Sequence, residues 1–512
     1  MAQVATTQHP PYLEGLARLL SIVGLSIATF MIVLDYSIAN VSIPYIAGDL
    51  GVSVDQGTYL ITSFAVGNAI ILPVTGWLSK RVGAVKLIII SILGFVIMSW
   101  ACGAASNFPM LVVCRFLQGA VSGPLIPLSQ TLLISTNPVE KKNRVIAMWS
   151  MIIVTAPVIG PILGGWISYD YVWPWIFYIN IPVGIISAFL VWLYLRPFET
   201  HTEKKPIDWI GFILLSIAVA SLQFILDKGE QFDWLRSNLI LSLSIISFVS
   251  FLYLFIWEYF HPHPLIDLKL FKIQSYSVSI LYIMIMYANY FGAIVLVPLW
   301  LQNNMNYTSV WAGLAVAPLG IAPCLFSIVS GWAITKFGNI KPLFACFFFF
   351  SLSCFYTAYF ATNVDFQHIA FSRFLMGFGI LFFITPLLAL SIQDIPNAKL
   401  PSATGFFHFV RAMFGGVGTS IYTTMWIRRQ AFHHERISSY ATPYNPNFQE
   451  YVSNLKLFGI KGDQALSFFN EQLNDQCSMM AINDCFYFMG WIFIGLVLFL
   501  PLGRKRTKIC TT

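Results

Sequence analysis

Charge is what this sequence has least of. Asp, Glu, Lys and Arg make up 10% of its 512 residues, where an average soluble protein carries roughly 25%. Apolar residues reach 57% and the mean hydropathy is +0.73, leaving too little polar surface to clothe a water-soluble globule of this size. A soluble enzyme or binding protein is excluded. Other absences narrow the field further. No GxxxxGK[ST] occurs, so nothing points to ATP hydrolysis. The 8 cysteines include no CxxC and no metal-ligand spacing, and HPHP (261–264) and HHE (433–435) lack a second cluster, so both read as loop residues. No cleavable leader is expected, because the first apolar run is too long for an h-region and no small-residue cleavage site follows it.

What the chain has instead is apolar length. A membrane crossing needs about 20 apolar residues. Runs of that kind lie near 19–42, 58–79, 85–104, 110–133, 144–168, 174–195, 207–226 and 237–260. Six more lie near 276–301, 309–333, 340–361, 367–391, 403–427 and 482–501. Lipid offers the backbone no hydrogen bonds, so all fourteen are expected to be helices. The expected fold class is an all-α polytopic membrane protein.

Lys and Arg set the orientation. With a cytoplasmic N-terminus, that side collects Arg18, Lys80, Arg81, Lys86, Lys141, Lys142, Arg144, Arg196, Lys204 and Lys205 from the first half. From the second half it collects Lys269, Lys272, Lys336, Lys341, Lys399, Arg504, Lys505, Arg506 and Lys508. The opposite short loops hold only Lys228 and Arg236. Both termini are therefore expected in the cytoplasm, and the net charge of +7 faces the inner leaflet rather than a nucleic acid. Cys102, Cys114, Cys324, Cys346 and Cys354 fall in or beside apolar runs and act as small hydrophobes. Cys477 and Cys485 flank the end of a polar loop and are candidates to pair.

Two stretches repeat. GWLSKRVGAVK (76–86) and GWAITKFGNIK (331–341) share G-W-x(3)-basic-x-G-x-x-K, and RFLQGAVSG (115–123) and RFLMGFG (373–379) share Arg-Phe-Leu-x-Gly. Each pair occupies the same place in a six-span block. The expected organisation is an N-terminal six-helix half over 1–200, two inserted helices over 201–272, and a C-terminal half over 273–512 with a long polar loop at about 428–481. Same-orientation halves place a substrate cavity at their interface.

Asp35 and Arg115 carry the chemistry. Asp35 lies about five residues outward of the middle of span 1 and Arg115 about six outward of the middle of span 4, so both sit roughly 8 Å outside the midplane. Equal depth permits a pair, and ionisable residues inside a membrane pair or face a cavity. Burial raises a carboxylate's pKa and a guanidinium lowers it, so such a site can exchange a proton as access alternates. The alternative is an ion pair that only fixes helix packing. In span 5, APVIGPILGGW (156–166) combines Pro157 and Pro161 with Gly160, Gly164 and Gly165. Its glycines permit close helix approach and its prolines a kink, as a gating helix needs and as ordinary small-residue packing also produces. Gly76 and Gly83 around Lys80 and Arg81 imply a tight turn at the inner surface, consistent with a latch between helices. Arg411 and His408, three apart on span 13, share a face and are candidates for the cavity wall or for proton movement. Asn40, Gln118, Asn180 and Asn289 are candidate substrate contacts, against the alternative of interhelical hydrogen bonds.

Together these features resemble the major facilitator superfamily, in particular its fourteen-span drug:proton antiporters of the EmrB/QacA type, over nearly the whole chain. LDYSIANVSIPYIAGDL resembles the first-span motif with Asp35 as its acid. GWLSKRVGAVK resembles the loop motif between spans 2 and 3, RFLQGAVSGPLIPLSQ the span-4 motif with Arg115, and APVIGPILGGWIS the antiporter motif of span 5. WIFYINIPVG (175–184) and LDKGEQFDW (226–234) point to the EmrB branch. One departure stands out: the superfamily often has an acid where Lys80 stands, so a charge relay built on that acid is in doubt. The resemblance implies a secondary transporter, not an enzyme. It would need no cofactor and would draw on the proton gradient to expel amphipathic drugs across a bacterial inner membrane. It further implies a periplasmic adaptor (EmrA-like) and an outer-membrane channel as partners, the 428–481 loop being a plausible docking surface. An exporter of one endogenous compound, such as a siderophore or lipid, shares the same motifs. A membrane transferase would need clustered carboxylates or a catalytic His at a membrane face, and no such cluster is present. A passive channel would not explain Asp35 with Arg115.

Overall fold

The computed structural model describes residues 12–203, 206–262, 264–396, 399–460 and 462–500. Lys204, Lys205, His263, Lys461, Arg504, Lys505, Arg506 and Lys508 lie outside them. Among the described residues the chain is all helix, without a strand. The first half crosses in span 1 (Gly15–Asp49), span 2 (Tyr59–Val82), span 3 (Ala84–Gly103), span 4 (Phe108–Ser122 with Leu125–Ser135), span 5 (Val139–Asp170) and span 6 (Trp175–Tyr178 with Asn180–Leu195). Spans 7 (Trp209–Lys228) and 8 (Asn238–Phe260) pack on each other. There follow span 9 (Gln274–Asn304), span 10 (Ser309–Val316 with Ile321–Phe337) and span 11 (Ile340–Thr357). Span 12 (Phe366–Leu381 with Ile384–Ile392), span 13 (Leu400–Ser438) and span 14 (Asp463–Phe499) complete the chain.

Eleven of these passes are long and apolar enough to cross a membrane by length and composition, and the broken span 10 makes a twelfth. Span 13 falls short because it carries His408, Arg411 and many Gly, Ser and Thr. Protein surrounds it on several sides: spans 2, 7, 9 and 14 all pack against it. It therefore does not need an apolar face all round.

Sequence punctuation explains the ends. Asn107 accepts from Met110 N at 2.9 Å and Asp365 from His368 N at 3.0 Å, capping spans 4 and 12. Gly83 takes φ +97°, a conformation L side chains rarely adopt, and so makes the turn between spans 2 and 3. The Glu199 carboxylate then caps span 3, accepting from Val85 N at 3.0 Å and Lys86 N at 2.9 Å.

The two halves meet along two seams, span 2 with span 13 and span 5 with span 10. At the end bearing the basic loops the first seam is tight. A Cβ on Gly76 would lie 2.6 Å from Ser402 Cα, and span 4 joins the same seam through Thr131 on Thr404 at 3.1 Å and Gln130 on His408 at 2.7 Å. The other end of span 1 is accessible instead: Tyr36, Asn40 and Pro44, four residues apart on one face, are all exposed.

Two expectations need correction. The polar stretch 428–481 is largely helical rather than a loop. Spans 13 and 14 run on beyond the apolar region and a short helix, Pro446–Leu457, joins them. The extension is held by Asp484, which takes Arg429 at 2.6 Å and His433 at 2.8 Å, and by Tyr451 packing on Phe469. HHE (433–435) is thus part of a helix. Cys477 and Cys485 both lie in span 14 and are free thiols. Eight residues of helix separate them by about 12 Å, beyond disulfide reach.

Candidate functional site

Asp35 and Arg115 meet at 2.6 Å, 1% and 0% exposed. Two amides complete the carboxylate's shell: Asn180 Nδ2 donates at 2.8 Å and Gln118 Nε2 at 3.3 Å. Spans 1, 4 and 6 are therefore tied at one point. Gln118 is one turn beyond Arg115 on span 4, and its Oε1 accepts from Arg115 Nη1 at 2.7 Å while Nε2 also donates to Ser99 at 2.9 Å. The guanidinium stacks 4.4 Å over Phe64 and 5.4 Å over Phe177, and its Nε donates to Leu60 O at 3.3 Å. Its Nη2 is buried without an acceptor, a cost of about 1–3 kcal/mol.

This shell has a definite chemistry. An ionised carboxylate only accepts, and three donors converge on it. A protonated carboxyl is also a donor, and protonation removes the charge that pairs with Arg115.

Span 5 docks on span 1 directly beyond the acid. A Cβ on Gly160 would lie 2.5 Å from Ser37 Cβ, and one on Gly164 3.0 Å from Ile38 O. The Ser37 hydroxyl donates to Pro157 O at 3.2 Å. Gly165 faces open space, and the side chain of Pro161 lies outside the described residues. At the basic end, Arg81 stacks 5.3 Å over Trp77, whose indole donates to Pro206 O at 3.2 Å, and Lys80 O accepts from Glu203 N at 2.7 Å. The span 2–3 turn is thus tied to the segment leading into the inserted helices.

The remaining candidates scatter. His408 is buried with Nε2 on Gln130 and Nδ1 without a partner. Arg411 Nη1 donates to Tyr287 Oη at 2.8 Å. Asn289 is absorbed in packing, donating to Ile285 O at 2.6 Å and accepting from Tyr422. Asn40 lies apart on the exposed face of span 1.

Sequence reasoning passed over two features. Asp227, at the end of inserted span 7, accepts from Thr62 of span 2 and from Gln223 at 3.1 Å. An acid closing an apolar run inside LDKGEQFDW was the signal. Arg373, the repeat counterpart of Arg115, is 1% exposed and lies among neutral acceptors; the shared Arg-Phe-Leu-x-Gly was the signal there.

Residues 25–419 match the family model described as Major Facilitator Superfamily. The chain belongs to that superfamily. Within it, this facilitator is 42% identical to the multidrug export protein EmrB of Escherichia coli K12, over 96% of both chains. It is 40% identical to the fatty acid resistance protein FarB of Neisseria gonorrhoeae, again over 96% of both. The crystal structure of the human organic anion transporter MFSD10 shares the fold with a TM-score of 0.57 at 11% identity, over 94% of this chain and 98% of that one. The chain is thus a multi-span membrane transporter of the EmrB type, and not an enzyme.

Proposed function

We propose that this facilitator is a proton-driven exporter of amphipathic drugs and other toxic small molecules across the bacterial inner membrane, with both termini cytoplasmic. The observation that carries the reading is the Asp35 shell, in which one carboxylate ties spans 1, 4 and 6 beside the docking face of span 5. The tight seam at the basic end and the exposed Tyr36–Asn40–Pro44 face support the reading of a carrier open to the outside. From there Asp35 takes up a proton, its hold on Arg115, Gln118 and Asn180 is lost, and span 1 is released to move against span 5. Proton release on the inner side resets the pair.

The pump is proposed to act with a periplasmic adaptor and an outer-membrane channel. The segment joining the extended ends of spans 13 and 14 supports this, because it carries exposed Tyr440, Tyr444, Leu457 and Phe458. The name of the gonococcal relative favours keeping a second reading, export of one lipid-like compound.

Efflux from vesicles with an imposed pH gradient tests the coupling. Asp35→Asn is expected to abolish gradient-driven efflux while the protein still reaches the membrane. Unchanged proton dependence in that variant would falsify the assignment.

A further inference from the structure

Asp35 is sealed. It is 1% exposed, and Arg115, Gln118 and Asn180 close over its carboxylate. A proton from outside must therefore be brought to it by another group. Ionisable residues inside membranes form such relays, and a relay acid has to meet solvent on one side and the sealed site on the other. Asp227 of inserted span 7 meets both conditions.

Asp227 is exposed, and among the described residues the hydrogen-bond donors to its carboxylate are neutral. They are the Thr62 hydroxyl of span 2 and, one turn back on its own helix, Gln223 Nε2 at 3.1 Å. Thr62 stands two residues along span 2 from Leu60, whose carbonyl accepts from Arg115 Nε at 3.3 Å. One turn of span 2 thus holds both the acid of the insertion and the arginine that pairs with Asp35, which puts the two sites at about the same depth. Tyr36, next to Asp35 in the chain, is close enough to Asp227 and to Arg115 to feel both charges. It is itself exposed, and it packs 6.0 Å from Phe64, the ring on which the Arg115 guanidinium lies.

The other ionisable groups near Asp227 have partners of their own or lie further off. Lys228 donates to Thr58 at 3.0 Å and lies 4.6 Å over the Tyr59 ring. In the turn that follows, Glu230 accepts from the Trp234 indole at 2.6 Å and Asp233 takes Arg236 at 3.3 Å. Span 13 brings Gly416 against Gln223, a Cβ there lying 3.6 Å from its amide, with Arg411 and His408 set toward the basic end. Span 8 carries Tyr253, Glu258 and Tyr259 toward its far end.

We infer that Asp227 is the outer relay acid on the proton's way to Asp35. Its carboxylate takes a proton from outside, the proton passes through solvent at Tyr36 to the Asp35 carboxylate, and Asp227 is left ionised to take the next. One O–H bond breaks on Asp227 as one forms on Asp35, and no co-reactant is needed. The assignment rests on the proton-coupled reading and names a second residue for it.

Proton uptake after a jump from alkaline to acid pH tests the relay, with the full chain in lipid nanodiscs and pyranine reporting free protons in stopped flow. The phase that Asp35→Asn removes is the loading of Asp35. Asp227→Asn keeps the shape and an acceptor for Thr62, and it is expected to slow that phase at least tenfold without abolishing it. Asp227→Glu, which keeps a carboxyl, should restore most of the rate. Thr62→Val removes the hydrogen bond and keeps the acid, so it should leave the phase fast. A phase as fast in Asp227→Asn as in wild type overturns the assignment. Equal slowing by Thr62→Val also overturns it, because Asp227 would then only fasten the inserted pair to span 2. If wild type shows no phase that depends on Asp35, the coupling reading itself falls and the relay falls with it.

Discussion

The two halves put an arginine at the same place and treat it differently. Arg115 and Arg373 both open an Arg-Phe-Leu-x-Gly stretch, both are buried, and both lie against aromatic rings, Phe64 and Phe177 in one half and Phe486 in the other. Arg115 pairs with a carboxylate. Arg373 instead donates to Thr357 Oγ1 at 2.6 Å, to Ser372 Oγ at 3.0 Å and to Ala293 O at 3.5 Å, with Met376 Sδ at 3.7 Å. Neutral oxygens therefore suffice to hold a guanidinium inside this bundle. Asp35 is not needed merely to neutralise an awkward arginine, and that weighs toward a working role for the acid over a packing role.

The largest test of that contrast removes the acid outright. Asp35→Ala leaves Arg115 buried without its counter-charge, and breaking one side of a buried pair costs about 3–5 kcal/mol. Thermal unfolding in detergent should show a correspondingly large drop in Tm. A fall no greater than that of an ordinary surface variant would mean the pair contributes nothing.

The second test strikes the other half. Arg373→Met keeps an elongated side chain in place. Thr357 Oγ1 is left with Ser353 O at 2.9 Å and Ser372 Oγ at 3.2 Å, so few groups are stranded. The expected loss is about 1–3 kcal/mol, with the proton dependence of efflux intact. Loss of that dependence would place coupling in both halves and dissolve the contrast.

The smallest effect lies outside the membrane. The His368 hydrogen bond holds the Asp365 carboxyl below its usual range. A lowered folded-state value stabilises above the unfolded value and is lost as pH falls through the folded one. Both side chains are exposed, so solvent screens the pair. Asp365→Asn should leave Tm at neutral pH within the scatter of replicate melts; a drop outside it would show that this cap matters more than its exposure implies.

Much of this was legible in the sequence because lipid imposes simple rules. Apolar length marked the crossings, the shared rise of 1.5 Å per residue placed Asp35 and Arg115 at one depth, and the glycines of span 5 signalled its approach to span 1. Cys477 and Cys485 and the 428–481 stretch were less readable. A polar run has no apolar period to report a helix, and its helical state rests on contacts such as Arg429 with Asp484, 55 residues apart.

Sequence alone determined which segments are long and apolar enough to cross a membrane and how far along each helix its ionisable groups lie, since hydrophobicity and helical rise are properties of the chain itself. It anticipated Arg115 beside Asp35 from their equal depth, but it could not say that Arg373 would meet only neutral oxygens and Arg411 a single tyrosine. Those two fates depend on which faces of distant helices turn toward one another. Only packing fixes that, because a helix of given depth can present any side to its neighbour.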